Sequence, residues 1–207
     1  FNGAAEGISL ATGVLNWDAG GELQPATGYP VRLTAYDQDG IESAGTTGLG
    51  ITWLWNPTNL VASPYSETVD LTWSASMPTQ YVKEYRVYAG TAPFMQVDGI
   101  SAVATSKTLA VSVPSLQNGT AYWFGVAAVN LSGGMDARVV SAAATPQPDT
   151  EGPAASNIRL DSAPLTNGMV AQHQGMIQLT AVDRAGLAGT EVWIDGVAWP
   201  MTVTGNP

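Results

Sequence analysis

The sequence predicts an all-β chain of tandem antiparallel β-sandwich modules, and three observations carry that prediction. Short runs alternate apolar and polar residues at period two. A block of residues recurs at a fixed offset, Leu23 returning as Leu116, 93 positions on. Glycine (23 residues) and proline (13) recur too often for any stretch to hold a helical apolar stripe over three turns.

The recurring block runs Leu23-Gln24-Pro25-Ala26-Thr27-Gly28-Tyr29 against Leu116-Gln117-Asn118-Gly119-Thr120-Ala121-Tyr122. It continues without a gap through Ala35 and Ala128, Asp37 and Asn130, and Gly40 and Gly133. Upstream, Glu6-Gly7-Ile8-Ser9 corresponds to Asp98-Gly99-Ile100-Ser101. Both copies are read as ending in a proline, Pro57 and Pro146. That alignment gives the first copy a glycine-rich loop, Gly45-Thr46-Thr47-Gly48-Leu49-Gly50, about four residues longer than its counterpart. The period is that of one sandwich domain of roughly 100 residues.

The alternation places the strands. Val69, Leu71 and Trp73 share one face, as do Tyr85 and Val87. Tyr122, Phe124, Val126 and Ala128 line one face of a further strand, and Tyr29, Val31, Leu33 and Ala35 repeat it in the first copy. Gln117-Asn118-Gly119 and Ser132-Gly133-Gly134 supply turns between such runs.

Taken together, Val69-Asp70-Leu71-Thr72-Trp73, Tyr85-Arg86-Val87-Tyr88, Leu116 with Gly119-Thr120 and Tyr122, and Val126-Ala127-Ala128-Val129-Asn130 resemble a fibronectin type III domain over residues 57–146. The resemblance implies a core around Trp73, Tyr85, Leu116, Tyr122 and Val126, with Tyr29 in the matching place of the first copy. It also implies a corner at Leu116 and Tyr122, where the tyrosine hydroxyl bonds back to the preceding turn. Residues 1–56 then read as the C-terminal half of a like module and 147–153 as a proline-rich linker. Residues 154–207 resemble the N-terminal part of a bacterial immunoglobulin-like module, with strands at Gly175–Asp183 and Glu191–Gly196. A half-module cannot close a sandwich core, so the expectation is a stretch of a longer modular polypeptide.

Composition narrows the function. Seventeen acidic residues against seven basic ones give a net charge of −10. The bases (Arg32, Lys83, Arg86, Lys107, Arg138, Arg159, Arg184) are scattered, which argues against nucleic acid and against anionic membrane. No apolar run reaches the ~20 residues of a membrane span. The chain has no cysteine, hence no disulfide or thiolate chemistry.

Candidate chemistry is sparse. His173 is the sole histidine and lies in a polar connection, so neither a Ser-His-Asp arrangement nor a histidine zinc site can be built. The glycine-rich stretch at 45–50 fits neither dinucleotide nor P-loop spacing, and no cofactor is expected. Asp37-Gln38-Asp39-Gly40 opens like a calcium loop, which makes Asp37 and Asp39 candidate calcium ligands, with a second candidate near Asp149 and Glu151. The match of Asp37 to Asn130 favours turn capping instead.

The tryptophans are more informative. Trp123 has the opposite parity to Tyr122 and Phe124, so it is expected to face outward beside Arg86 and Tyr88 as a surface for a sugar ring or a partner protein. Trp53 and Trp55 are expected on one face of a terminal strand, buried in the first module or at the contact with the next one rather than forming a glycan-binding strip. The glycosylation patterns at Asn118 and Asn130 read as incidental to turns.

The function expected is therefore a non-catalytic spacer or adhesion segment of a large exported, bacterial protein, extracellular or at the cell surface. Its partners would be the neighbouring modules and a surface protein or glycan. Two alternatives are accessory, carbohydrate-binding modules of a secreted polysaccharide-active enzyme, and shell or stalk modules of a large secreted toxin.

Overall fold

The computed structural model describes residues 23–168, 175–194 and 196–202. Seven strands make the central module: β3 (Thr58–Tyr65), β4 (Thr68–Ser74), β5 (Val82–Gly90), β6 (Ala104–Ser106), β7 (Ala110–Val113), β8 (Tyr122–Asn130) and β9 (Ala142–Ala144). One antiparallel sheet has the order β3-β4-β7 and the other β6-β5-β8-β9. Ahead of them β1 (Gly28–Leu33) pairs with β2 (Thr46–Ile51). After them come a three-stranded sheet of β10 (Ala154–Leu160), β11 (Ala163–Pro164) and β12 (Ile177–Val182), and a hairpin of β13 (Glu191–Ile194) and β14 (Val197–Pro200). The chain is all-β. Among the described residues no helix is long and apolar enough to cross a membrane.

Period two decides which side chains enter the central core. In β4, Val69, Leu71 and Trp73 are buried while Thr72 is exposed. They meet Tyr85 and Val87 of β5, Phe124, Val126 and Ala128 of β8, and Val113 of β7. Leu116 and Tyr122 pack against the margin of this cluster. Trp73 is 5% exposed, and its ring stands edge-on to Tyr85 at 5.4 Å, a geometry that the opposed ring quadrupoles favour. The Tyr85 hydroxyl accepts the Ser76 amide at 3.1 Å.

The tyrosine corner appears twice. The Gln117 amide donates to the Tyr122 hydroxyl at 3.1 Å, and the Gln24 amide donates to the Tyr29 hydroxyl at 2.8 Å. Ala26 and Gly119 are both left-handed, with φ of 55° and 80°. Their amides donate to the carbonyls of Trp53 and Pro146, each at 2.8 Å. Trp53, not Pro57, is thus the counterpart of Pro146, and the expected four-residue insertion does not exist. The glycine-rich stretch is not a loop either, since Thr46–Ile51 is strand β2 itself, with Gly50 opposite Tyr29 and Gly48 opposite Val31. The ladder is made by backbone, which glycine carries as well as any residue, so side-chain alternation left no mark there.

The outer face of the four-stranded sheet is covered. Tyr88 and Ala127 lie beneath Val97 and Val139, with Phe94, Ile100, Met135 and Ala137 packed around them. The two covering segments are tied to each other: the Val97 amide donates to the Ala137 carbonyl and the Val139 amide to the Met95 carbonyl. Gly125, in the middle of β8, makes room for them. A Cβ there would lie 2.8 Å from both the Phe94 ring and a Val139 methyl. Gly125→Ala should therefore destabilise the module by ~1–3 kcal/mol. Urea unfolding should show that penalty shrinking when Phe94 is also replaced by Ala; equal penalties in both backgrounds would refute the packing described.

Candidate functional site

Strand parity does place Arg86, Tyr88 and Trp123 on one face, because Tyr88 stands opposite Gly125, Gly90 opposite Trp123 and Arg86 opposite Ala127. That face is the covered one. Tyr88 is 3% exposed, with its hydroxyl 3.5 Å from the Met135 sulfur. Trp123 is half-buried. Arg86 pairs with Glu84 at 3.2 Å. The expected outward aromatic surface is corrected accordingly: outward of the sandwich is not outward to solvent when two loops carry their own apolar residues.

Asp37 uses Oδ1 to accept the amides of Asp39 (3.0 Å) and Ile41 (2.8 Å), which is turn capping. Asn130, its counterpart, accepts the Gly134 amide in the same way at 2.8 Å. Asp149 likewise accepts the Glu151 amide. Among the described residues no group of three or more His, Cys, Asp or Glu side chains is placed to hold a metal ion. His173 lies outside the described residues, as does the segment Glu6–Ser9.

The densest set of functional side chains lies instead where residues 51–56 meet the central module. Leu54 is fully buried in the same core cluster as Leu71 and Phe124, although it precedes the sequence-derived boundary at residue 57. The Asn56 side chain reaches an open stretch of β8. Its Oδ1 accepts the Ala128 amide at 2.8 Å, and its Nδ2 donates to the carbonyls of Asp136 and Arg138. A carboxamide carries the donor and acceptor of a peptide group, so it substitutes here for a missing strand. From the other side Asn130, 1% exposed, donates Nδ2 to the carbonyls of Ile51 (2.7 Å) and Thr52 (2.9 Å). Tyr81 closes the contact against Gly28, where a Cβ would lie 2.7 Å from the phenolic oxygen.

Trp53 and Trp55 sit on this segment, past the end of β2 and in no strand. Their rings are edge-to-face at 5.1 Å. Trp53 is half-buried, with the Arg138 guanidinium 5.5 Å from its centre. Arg138 is held by a two-point ion pair with Asp136, Nε to Oδ1 and Nη2 to Oδ2, each at 3.0 Å. Burial pushes the Asp136 carboxyl up, but its bonds to Arg138 outweigh that and leave it below the ordinary value. The same pairing raises Arg138.

A second inter-unit contact is ionic. Arg184, in the segment between β12 and β13, bonds Asp70 of β4 and lies 3.4 Å from the centre of the Tyr65 ring. Asp70 also accepts the Ser112 hydroxyl at 2.6 Å. Burial pushes the Asp70 carboxyl up, but Ser112 and Arg184 together hold it below 3.8.

With seven strands split three and four, this strand order and the tyrosine corner, residues 57–146 form a fibronectin type III fold. No protein-family model matches the chain. Among curated proteins, Chitinase A1 of Niallia circulans is 32% identical over 148 residues, which is 68% of this chain and 19% of that protein. The chain thus spans about a fifth of the length of the curated relative it matches. Similar solved structures include two of different kinds. FN3tt is 24% identical, with a TM-score of 0.38 over 47% of this chain and 98% of that one. The β-1,2-glucanase of Parabacteroides distasonis is 22% identical, with a TM-score of 0.39 over 55% of this chain and 17% of that one.

Two outcomes are expected from the junctions. Asn130→Asp replaces a donor with an acceptor facing two carbonyls in a buried site, and should cost at least ~1–3 kcal/mol in a denaturant melt; a neutral result would remove Asn130 from the junction. For Asp70 the folded value is depressed, so its contribution is present above the ordinary carboxylate value of 3.8 and is lost as the pH falls through the folded value. Asp70→Asn should lower stability at pH 7 by up to ~1 kcal/mol, as for a partly exposed pair. That deficit should vanish when the urea midpoints are compared near pH 2, whereas a deficit independent of pH would contradict the ionic account.

Proposed function

We propose that the chain provides non-catalytic accessory modules of a secreted polysaccharide-active enzyme. The observation that carries this reading is the likeness to Chitinase A1, 32% identical over 148 residues. That length exceeds one sandwich domain of roughly 100 residues, so the likeness takes in more than a single shared module. It moves the accessory reading ahead of the spacer and adhesion reading, while the mechanics serve both. A backbone-to-amide interlock at residues 51–56 and an ion pair at Arg184 tie successive units together, which suits a connector holding an enzyme to its substrate. Residues 154–207 are read as the opening of a further immunoglobulin-like module, the extracellular medium as the site of action, and neighbouring modules and glycan as the partners.

Two measurements test this. Peptide mapping of the full-length secreted polypeptide should place a polysaccharide-active domain in the same chain as residues 57–146; a parent without one overturns the accessory reading. The 207-residue chain alone should release no reducing ends from colloidal chitin or β-glucan, and release would overturn the non-catalytic half.

A further inference from the structure

We propose that Trp55 is the stacking platform of a glycan subsite at the junction, taking one sugar ring of a neutral, β-linked polysaccharide. The inference rests on the accessory reading given above.

The backbone on both sides of Trp55 is locked. Leu54 is buried in the central core, and Asn56 makes three hydrogen bonds to the chain around Ala128, Asp136 and Arg138. The ring is braced edge-on by Trp53, itself capped by Arg138. Yet Trp55 is 56% exposed, a large apolar side chain in a rigid setting that leaves half of its surface to water. Trp193 and Trp199 are also exposed, but among the described residues no second ring or cation braces either indole. An aromatic held in one orientation before binding loses little entropy when a ligand stacks on it. The equatorially substituted face of a β-linked pyranose presents C–H groups that match the negative face of an indole.

Charge selects among polysaccharides. The polar group beside the tryptophans is the Asp136–Arg138 ion pair, which is neutral as a unit and offers both donors and acceptors to sugar hydroxyls. The chain as a whole carries −10, so an anionic polymer such as a polyuronate is repelled and a neutral one is not.

The test is co-sedimentation of the full 207-residue chain with insoluble chitin, cellulose and β-glucan at physiological salt. Binding to at least one of them is expected, with Trp55→Ala weakening it roughly tenfold or more, as for a buried aromatic anchor. Trp55→Phe should retain most of the binding and Trp123→Ala all of it. As a readout independent of folding, the Trp55 indole N–H resonance should shift when a soluble β-linked oligosaccharide is added to the unmodified chain, and the Trp123 resonance should not. Unchanged binding in Trp55→Ala, or no binding to any of the three polymers, overturns the subsite. Either result leaves the accessory reading to be decided by the peptide map alone.

Discussion

A single buried carboxamide sets the relation between the first two units. Asn130 ends β8, closes the turn to Gly134 with its oxygen, and donates both hydrogens of its nitrogen to carbonyls of residues 51 and 52. Those carbonyls belong to the end of the preceding copy, so the turn of one unit is also the socket of the other. Residues 52–56 run on from this contact: Leu54 drops into the core, Asn56 fills the open stretch of β8, and Trp53 and Trp55 flank Leu54. The counterpart of Asn130 in the first copy is Asp37, whose carboxylate accepts amides at an exposed turn and donates nothing. One change from carboxylate to carboxamide separates a free turn from a docking turn, because only the amide can face carbonyls in a buried place.

Much of the fold was legible because its information is local. Period two in β4, β5 and β8 names the core residues directly, since a pleated strand turns alternate side chains to alternate faces. The ungapped match of residues 23–40 to 116–133 carried the tyrosine corner from one copy to the other, and both hydroxyls do accept the amide five residues back. The end of the first copy was misplaced for an equally physical reason. Aligning Pro57 with Pro146 weighed residue identity, whereas the fold equates the carbonyls that receive the amides of Ala26 and Gly119, and a carbonyl is the same group in Trp53 as in Pro146.

The candidate site was less legible because it depends on contacts between distant residues. Parity gave the correct face for Trp123 and Tyr88, yet the cover on that face comes from Phe94, Val97 and Val139, which lie in loops with no periodicity to reveal them. A clue was present in Gly125, a glycine in an otherwise apolar strand, which marks a close approach of something from outside. Likewise the pattern Trp-Leu-Trp-Asn suggested a strand. Only the reach of Asn56 across to β8 shows why those residues run as an irregular segment with one tryptophan tucked in and the other out.

The two joints along the chain are made of different chemistry. The one at Asn130 uses neutral amides shielded from solvent, whose strength barely responds to dissolved ions. The one at Arg184 is an accessible ion pair with an aromatic backing, weakened by any electrolyte at a Debye length of about 8 Å or less. Among the described units, added salt therefore loosens the Arg184 contact and leaves the Asn130 contact as it was, so a change of salinity acts on one joint without touching the other.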